Sequence, residues 1–261
     1  MTTPPPAYPL GKSLLAGKTV VITAAAGTGI GLATARRCIE EGATVVISDV
    51  HERRLGEAAD QLTGLNGHAR PLTVRCDVTK EDEVQHLLDA AAAHVGGVDV
   101  WINNAGLGGT ADVVDMTDEQ WSRVLDVTLN GTFRCTRAAL RHMRARGRGA
   151  IVNNASVLGW RAQAGQAHYA AAKAGVMALT RCSAVEAAAF GVRINAVAPS
   201  LAMHPFLARV TTEALLTELK GREAFGRAAE PWEVANVIVF LASDYASYMT
   251  GEILSVSSQH P

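Results

Sequence analysis

Tyr169 and Lys173 are separated by three alanines, so on a helix the phenol and the ammonium share one face, a turn apart. A free tyrosine ionises near pH 10 and is a poor base at neutrality. A cation within about 4–6 Å favours its phenolate, and such a pair can exchange a proton with a substrate oxygen. The same spacing also occurs on ordinary solvated helix faces. Ser156 adds a second group: it ends the apolar run GAIVNNAS, 149–156, and the carboxyl edge of a parallel sheet is where such folds bind ligands. Its hydroxyl can hold the oxygen while Tyr169 moves the proton, or merely cap a loop.

Another set of residues points to a dinucleotide. The run TVVITA, 19–24, enters Ala25-Ala26-Gly27-Thr28-Gly29-Ile30-Gly31 and then a helix pattern. Glycines at a strand-to-helix turn let the backbone approach a pyrophosphate, which sits on the N–H groups of the helix start. Glycines also make plain turns, but here the next strand, ATVVISD, ends in Asp49, about 20 residues on, where dinucleotide folds place a ribose-binding acid. A carboxylate accepts bonds from ribose hydroxyls and repels a 2′-phosphate. Val50 and His51 follow it rather than Arg, so the sequence predicts NAD(H) over NADP(H). Asp49 could otherwise be a loop acid, and Arg53 and Arg54 either bear on the cofactor or lie on a solvated face.

The elements that must position these residues alternate along the chain. Apolar runs at 19–24, 43–49, 72–78, 98–106, 149–156, 192–199 and 252–257 read as seven strands. Thr79 with Asp82 and Thr117 with Gln120 suggest capping boxes. A helix carrying Trp121, Val124, Leu125 and Leu129 follows the second, and another runs from Tyr169 to Phe190. Continuous apolar strands between amphipathic helices imply a parallel sheet covered on both faces: one Rossmann-like, doubly wound α/β domain over 17–261, after a Pro-rich arm, 1–16, expected to be poorly ordered.

Composition narrows the classes. In 261 residues, 24 basic and 25 acidic side chains leave a net charge of −1, with no field to attract nucleic acid or anionic membrane. No apolar stretch is long enough to span a bilayer, and no basic n-region marks a secretory leader. The 4 cysteines form no CxxC pair, which fits a cytoplasmic protein and not a disulfide framework. The 8 histidines show no metal-ligand spacing, so no metal is expected.

Taken together the motifs resemble the short-chain dehydrogenase/reductase family over nearly all of 17–257: the glycine turn, Asp77-Val78, Asn103-Asn104-Ala105-Gly106, Ser156 thirteen positions before Tyr169, Lys173, and Asn195-Ala196-Val197-Ala198-Pro199. The resemblance implies Tyr169 as general acid/base, Lys173 as ribose ligand and pKa modulator, and Ser156 as holder of the substrate oxygen. It further implies that Gly29, Ile30 and Gly31 meet the pyrophosphate, Asp77 and Val78 bracket the adenine, Asn104 and Gly106 line the middle of the cofactor, and Pro199 to Ala202 touch the carboxamide. A homotetramer, with a dimer second, and a substrate lid over 203–226 containing Met203, Phe206, Leu207, Leu215, Leu216 and Phe225 are also implied.

Several segments are similar to an actinobacterial subgroup that includes a dehydrogenase of steroid ring C/D catabolism. This suggests a secondary alcohol or ketone on a bulky or CoA-linked substrate. A 3-oxoacyl-thioester reductase and a non-catalytic dinucleotide sensor or scaffold are the alternatives. Three departures motivate the last: Ala24 where the family has its first glycine, with the turn one residue longer; Thr128 where it has a catalytic Asn; and Pro199-Ser200-Leu201-Ala202-Met203-His204 where it often has Pro-Gly-x-x-x-Thr. Either Thr128 holds the relay water in place of that Asn, or the Asn role is unfilled. His204 is either a carboxamide or phosphate contact or a surface imidazole.

Overall fold

Strands that are buried on both faces lie at the middle of a sheet covered by helices, and here they are the ones rich in Val, Ile and Ala. The computed structural model describes residues 3–203 and 213–259, leaving aside the side chain of Leu215. Its seven strands are β1 (Thr19–Ile22), β2 (Thr44–Asp49), β3 (Leu72–Arg75), β4 (Val100–Asn103), β5 (Gly149–Asn154), β6 (Val192–Pro199) and β7 (Ile253–Val256). They form one sheet in the order β3-β2-β1-β4-β5-β6-β7, every pairing parallel. The expected doubly wound architecture is what the chain adopts. Chain direction across the sheet reverses between β1 and β4, and ligands of such sheets bind outside the strand ends at that switch.

Alternation along β1 shows how the faces are divided. Val20 and Ile22 join the core formed with helices α1 (Ile30–Glu40) and α2 (Glu52–Leu62). Val21 faces the other core, built with α3 (Glu81–Val95), α5 (Gly131–Arg146) and α6 (Ala167–Ala188); α4 (Asp118–Leu125) leads into α5. Two further helices, α7 (Glu213–Arg222) and α8 (Pro231–Ala242), follow β6, and α8 completes the first core through Val234 and Ile238.

Local signals fared unevenly. The Thr117/Gln120 capping box is present, with Gln120 N donating to Thr117 Oγ1 at 3.2 Å and Thr117 N to Gln120 Oε1 at 2.9 Å. The Thr79/Asp82 box is not. Asp77 Oδ1 instead accepts from Thr79 N at 2.9 Å and from Thr79 Oγ1 at 2.8 Å. That side-chain turn competes for the hydroxyl, and α3 starts after Lys80 with no side-chain cap. The helix expected from Tyr169 to Phe190 begins and ends two residues earlier.

Residues 3–13 of the arm are exposed but tied down at several points, and Leu15 enters the core. Tyr8 Oη donates to Glu40 at 2.6 Å and packs edge-on against Trp232. Buried Glu41, held by Arg37, accepts from Lys12 N at 2.8 Å and from Leu14 N at 3.0 Å. Beyond these, Arg227 Nε donates to Thr3 O at 2.8 Å.

A buried polar network sits under the switch point. Trp101 Nε1 donates to Asn103 Oδ1 at 2.9 Å; Asn103 Nδ2 donates to Thr136 Oγ1 at 3.0 Å and to Asn153 Oδ1 at 2.8 Å. Asn153 Nδ2 in turn donates to Thr180 Oγ1 at 2.8 Å. Truncating one member leaves the others desolvated and unpaired, which costs more than the bond itself contributes. Asn103→Ala should therefore lower unfolding stability by about 2–4 kcal/mol, read from chemical denaturation midpoints.

Candidate active site

The dinucleotide turn leaves β1 through Thr23. Ala24 then takes a left-handed conformation, φ 50°. Gly29 caps α1 without a side-chain bond, so the first backbone N–H groups of the helix are free for an anion. Gly31 has no room for a side chain: a Cβ there would lie 2.4 Å from Ala24 O and 2.5 Å from Asn104 Nδ2. Asp49, 7% exposed at the end of β2, accepts from Ala26 N at 3.3 Å and His51 N at 2.9 Å. Burial pushes its carboxyl up from the usual value, against these amide bonds and the charge of Arg54. The carboxylate thus faces the turn and keeps lone pairs for ribose hydroxyls. Free helix-start amides plus an acid at the neighbouring strand end fit a nicotinamide dinucleotide.

The other cofactor candidates lie along the same sheet edge. Asp77 and Val78 follow β3, with Val78 packed on Gly131 at the start of α5. Asn104 and Gly106 follow β4, and Asn104 N and Ala105 N both donate to Thr23 Oγ1, at 3.0 and 3.1 Å. Pro199 ends β6, and Ala202 pairs with Ala229. Arg53 is exposed and paired with Glu57.

Ser156, Tyr169 and Lys173 come together beyond β5. Ser156 is buried and its Oγ accepts from Leu158 N at 3.2 Å. Tyr169 lies on α6, where Lys173 Nζ is 5.5 Å from its ring centre. The lysine is 3% exposed and donates to the carbonyl of Asn154. Desolvation lowers its pKa to about 8. For Tyr169 burial is also the larger effect and raises the phenol's pKa, while a bond with Ser156 works the other way. Lys173 gives one of its protons to a backbone carbonyl, and burial stays the larger effect at the phenol. A positively charged ring at the dinucleotide site would add the missing pull.

Thr128 stands at the position of the family's Asn. It lies in a single π turn, Asp126–Asn130, between α4 and α5. Its hydroxyl is fully buried, donates to Leu107 O at 3.1 Å and accepts from Leu107 N at 2.9 Å. A hydroxyl has one proton to give, so Thr128 fixes the loop after Gly106 and cannot donate to a relay water. Its carbonyl is taken by Thr132 Oγ1 at 2.7 Å.

Two clusters were not anticipated. Asn154 Nδ2 donates to Asn104 Oδ1 at 3.0 Å; only the Asn153-Asn154 doublet could have signalled it. Buried Glu223 accepts from Ser258 Oγ at 2.8 Å and Gln259 Nε2 at 2.8 Å, and nothing in its local sequence marked it. Of the lid, α7 and the segment to Gly226 are described, whereas His204, Phe206 and Leu207 fall outside the described residues. Trp160 is 51% exposed. No group of metal-ligating side chains occurs among the described residues, and none of their helices is long and apolar enough to cross a membrane.

A Rossmann-like sheet with a dinucleotide turn at one strand and a serine, tyrosine and lysine gathered at another defines a class: oxidoreductases that pair a nicotinamide with a proton donor. Comparison with known proteins narrows it. A family model described as enoyl-(acyl carrier protein) reductase matches residues 24–258. A Mycobacterium tuberculosis protein named (5R,7aS)-5-hydroxy-7a-methyl-1-oxo-2,3,5,6,7,7a-hexahydro-1H-indene-carboxyl-CoA reductase is 65% identical over 96% of each chain. The cis-4-hydroxycyclohexanecarboxylate dehydrogenase of Sinomonas cyclohexanicum is 48% identical over 91% of this chain and 94% of that one. A short-chain dehydrogenase from Mycobacterium smegmatis superposes with a TM-score of 0.87 at 60% identity, over 98% of each chain. The chain belongs to the short-chain dehydrogenase/reductase family and is an oxidoreductase.

Burial of Lys173 has a signed consequence. Its folded pKa, about 8, lies below the usual lysine value of 10.5, so between those values the unfolded chain holds a proton that the folded chain has lost, and stability rises with pH across that window. Below pH 8 the folded protein carries a desolvated ammonium. Lys173→Met should accordingly be the more stable protein at pH 7, by up to ~3 kcal/mol. Thermal unfolding of both without cofactor should show that margin closing as pH climbs from 8 to 10.5.

Proposed function

We propose that the protein is an NAD(H)-preferring dehydrogenase or reductase acting on a secondary alcohol or ketone in a CoA-linked, ring-containing acid of steroid breakdown. The observation that carries the chemistry is the convergence of Ser156, Tyr169 and Lys173 on the rim beyond β5. The substrate reading leans on the two relatives, whose names each describe a hydroxyl on a ring system that also bears a carboxyl function.

When bound, the nicotinamide supplies or accepts the hydride. Ser156, its Oγ anchored by Leu158 N, holds the substrate oxygen. Tyr169 Oη gives that oxygen a proton in reduction and takes it back in oxidation. Lys173, held by the Asn154 carbonyl, keeps two N–H donors for the ribose and places its charge beside the Tyr169 ring. Asp49 accepts from the adenosine ribose and disfavours a 2′-phosphate, the basis of the NAD(H) preference. Thr128 holds Leu107, and with it the backbone facing Tyr169.

A homotetramer fits the surface. Trp121, Phe133 and Val185 stand exposed on α4, α5 and α6, and Tyr245 and Tyr248 stand exposed before β7. The four free cysteines, three of them buried, suit the reducing cytoplasm. A second reading, reduction of a 3-oxoacyl thioester, is favoured by a Thermotoga maritima relative named 3-oxoacyl-[acyl-carrier-protein] reductase, 38% identical over 93% of this chain and 97% of that one. A non-catalytic sensor would bind the dinucleotide without turnover.

Calorimetric titration should give tight NADH and weak NADPH binding, and Asp49→Ala should narrow that difference; an unchanged preference would remove Asp49 from the ribose. Tyr169→Phe should lose at least ~10² in turnover on the ring-alcohol CoA thioester while NADH affinity persists. Full activity in that variant would overturn the mechanism, and faster turnover of linear 3-oxoacyl thioesters by the unmodified protein would favour the second reading.

A further inference from the structure

The dinucleotide turn contains a contradiction that its own residues must resolve. Ala24, at φ 50°, occupies the left-handed region, where a Cβ crowds the following carbonyl and glycine alone is comfortable. Something outside the turn has to hold it there. Asn104 Nδ2 does so directly, donating to Thr23 O at 3.2 Å and to Ala24 O at 3.0 Å. The same amide fills the space that a Gly31 side chain would need.

Asn104 is aimed by a second amide. Its Oδ1 accepts from Asn154 Nδ2 at 3.0 Å. That is the one bond the Asn154 carboxamide makes among the described residues, since its buried Oδ1 has no partner there. The backbone carbonyl of Asn154 meanwhile accepts from Lys173 Nζ. A single residue at the end of β5 thus touches the support of the turn with its side chain and the buried ammonium with its main chain.

We infer that Asn154 is a positioning residue: through Asn104 it keeps the non-glycine turn in its dinucleotide-binding shape and registers that turn against Lys173. The inference rests on the reading that the turn takes a nicotinamide dinucleotide. Were Asn154 only a polar filler at the sheet edge, its removal would act independently of what stands at position 24.

A double-mutant cycle separates the two. The four proteins are the unmodified chain, Asn154→Ala, Ala24→Gly and the double variant. Each is titrated with NADH by calorimetry and melted without cofactor. Asn154→Ala should weaken NADH about tenfold, the size of one lost hydrogen bond between neutral groups. In the Ala24→Gly background, where the left-handed conformation no longer needs support, the same substitution should cost about threefold or less. Because Lys173 keeps its backbone partner, kcat at saturating NADH should fall much less than affinity.

Melting temperatures should show the same non-additivity. An Asn154→Ala protein with unmodified NADH affinity, or effects that simply add in the double variant, would overturn the proposal. If Asn154→Ala does not fold, Asn154→Ser replaces it in the same cycle. If the unmodified protein binds neither NADH nor NADPH, the cofactor reading fails by itself, and the melting cycle still decides whether Asn154 supports Ala24.

Discussion

A lysine ammonium removed from water is the constraint around which the site is built. Lys173 is almost wholly buried on α6, and an ion in such surroundings needs directed partners or it gives up its proton. The fold offers it one backbone carbonyl, that of Asn154. The ammonium also stands 3.4 Å from where a side chain at Gly106 would begin, close packing against the loop after β4. Lys173 is consequently held in a corner between the ends of β4 and β5, with its remaining donors available. Burial of that charge is costly to the folded protein.

This also explains why Tyr169 looks unpromising as a base in isolation. Burial raises its pKa, and the bond with Ser156 opposes that only in part. The phenol is therefore protonated at neutrality, as suits a proton donor to a carbonyl. Support for the dinucleotide turn comes from Asn104, reached from β4, and not from glycine at position 24.

Much of this was legible in the sequence, for physical reasons. The five inner strands are continuous apolar runs because both sheet faces are covered, and that pattern survives without structural knowledge. Ser156, Tyr169 and Lys173 were legible because strand end and helix turn fix their spacing. The Thr79/Asp82 box was misread because a nearer acceptor, Asp77, captured the hydroxyl. The role of Thr128 depends on a π turn and on a loop twenty-one residues away in sequence, neither of which leaves a local pattern. The Asn104–Asn154 pair spans fifty positions, so no window of sequence contains it.

The segment after α7 joins both ends of the described chain. Phe225 O accepts from Thr3 N at 2.9 Å, and Ala224 N donates to Ser258 O at 3.0 Å. Two adjacent residues thus hold strands of backbone separated by nearly the whole polypeptide. Topologically the chain is close to a closed loop: a few residues of linker would join Thr3 to Ser258 without disturbing the sheet, and new termini could be opened in a distant surface turn.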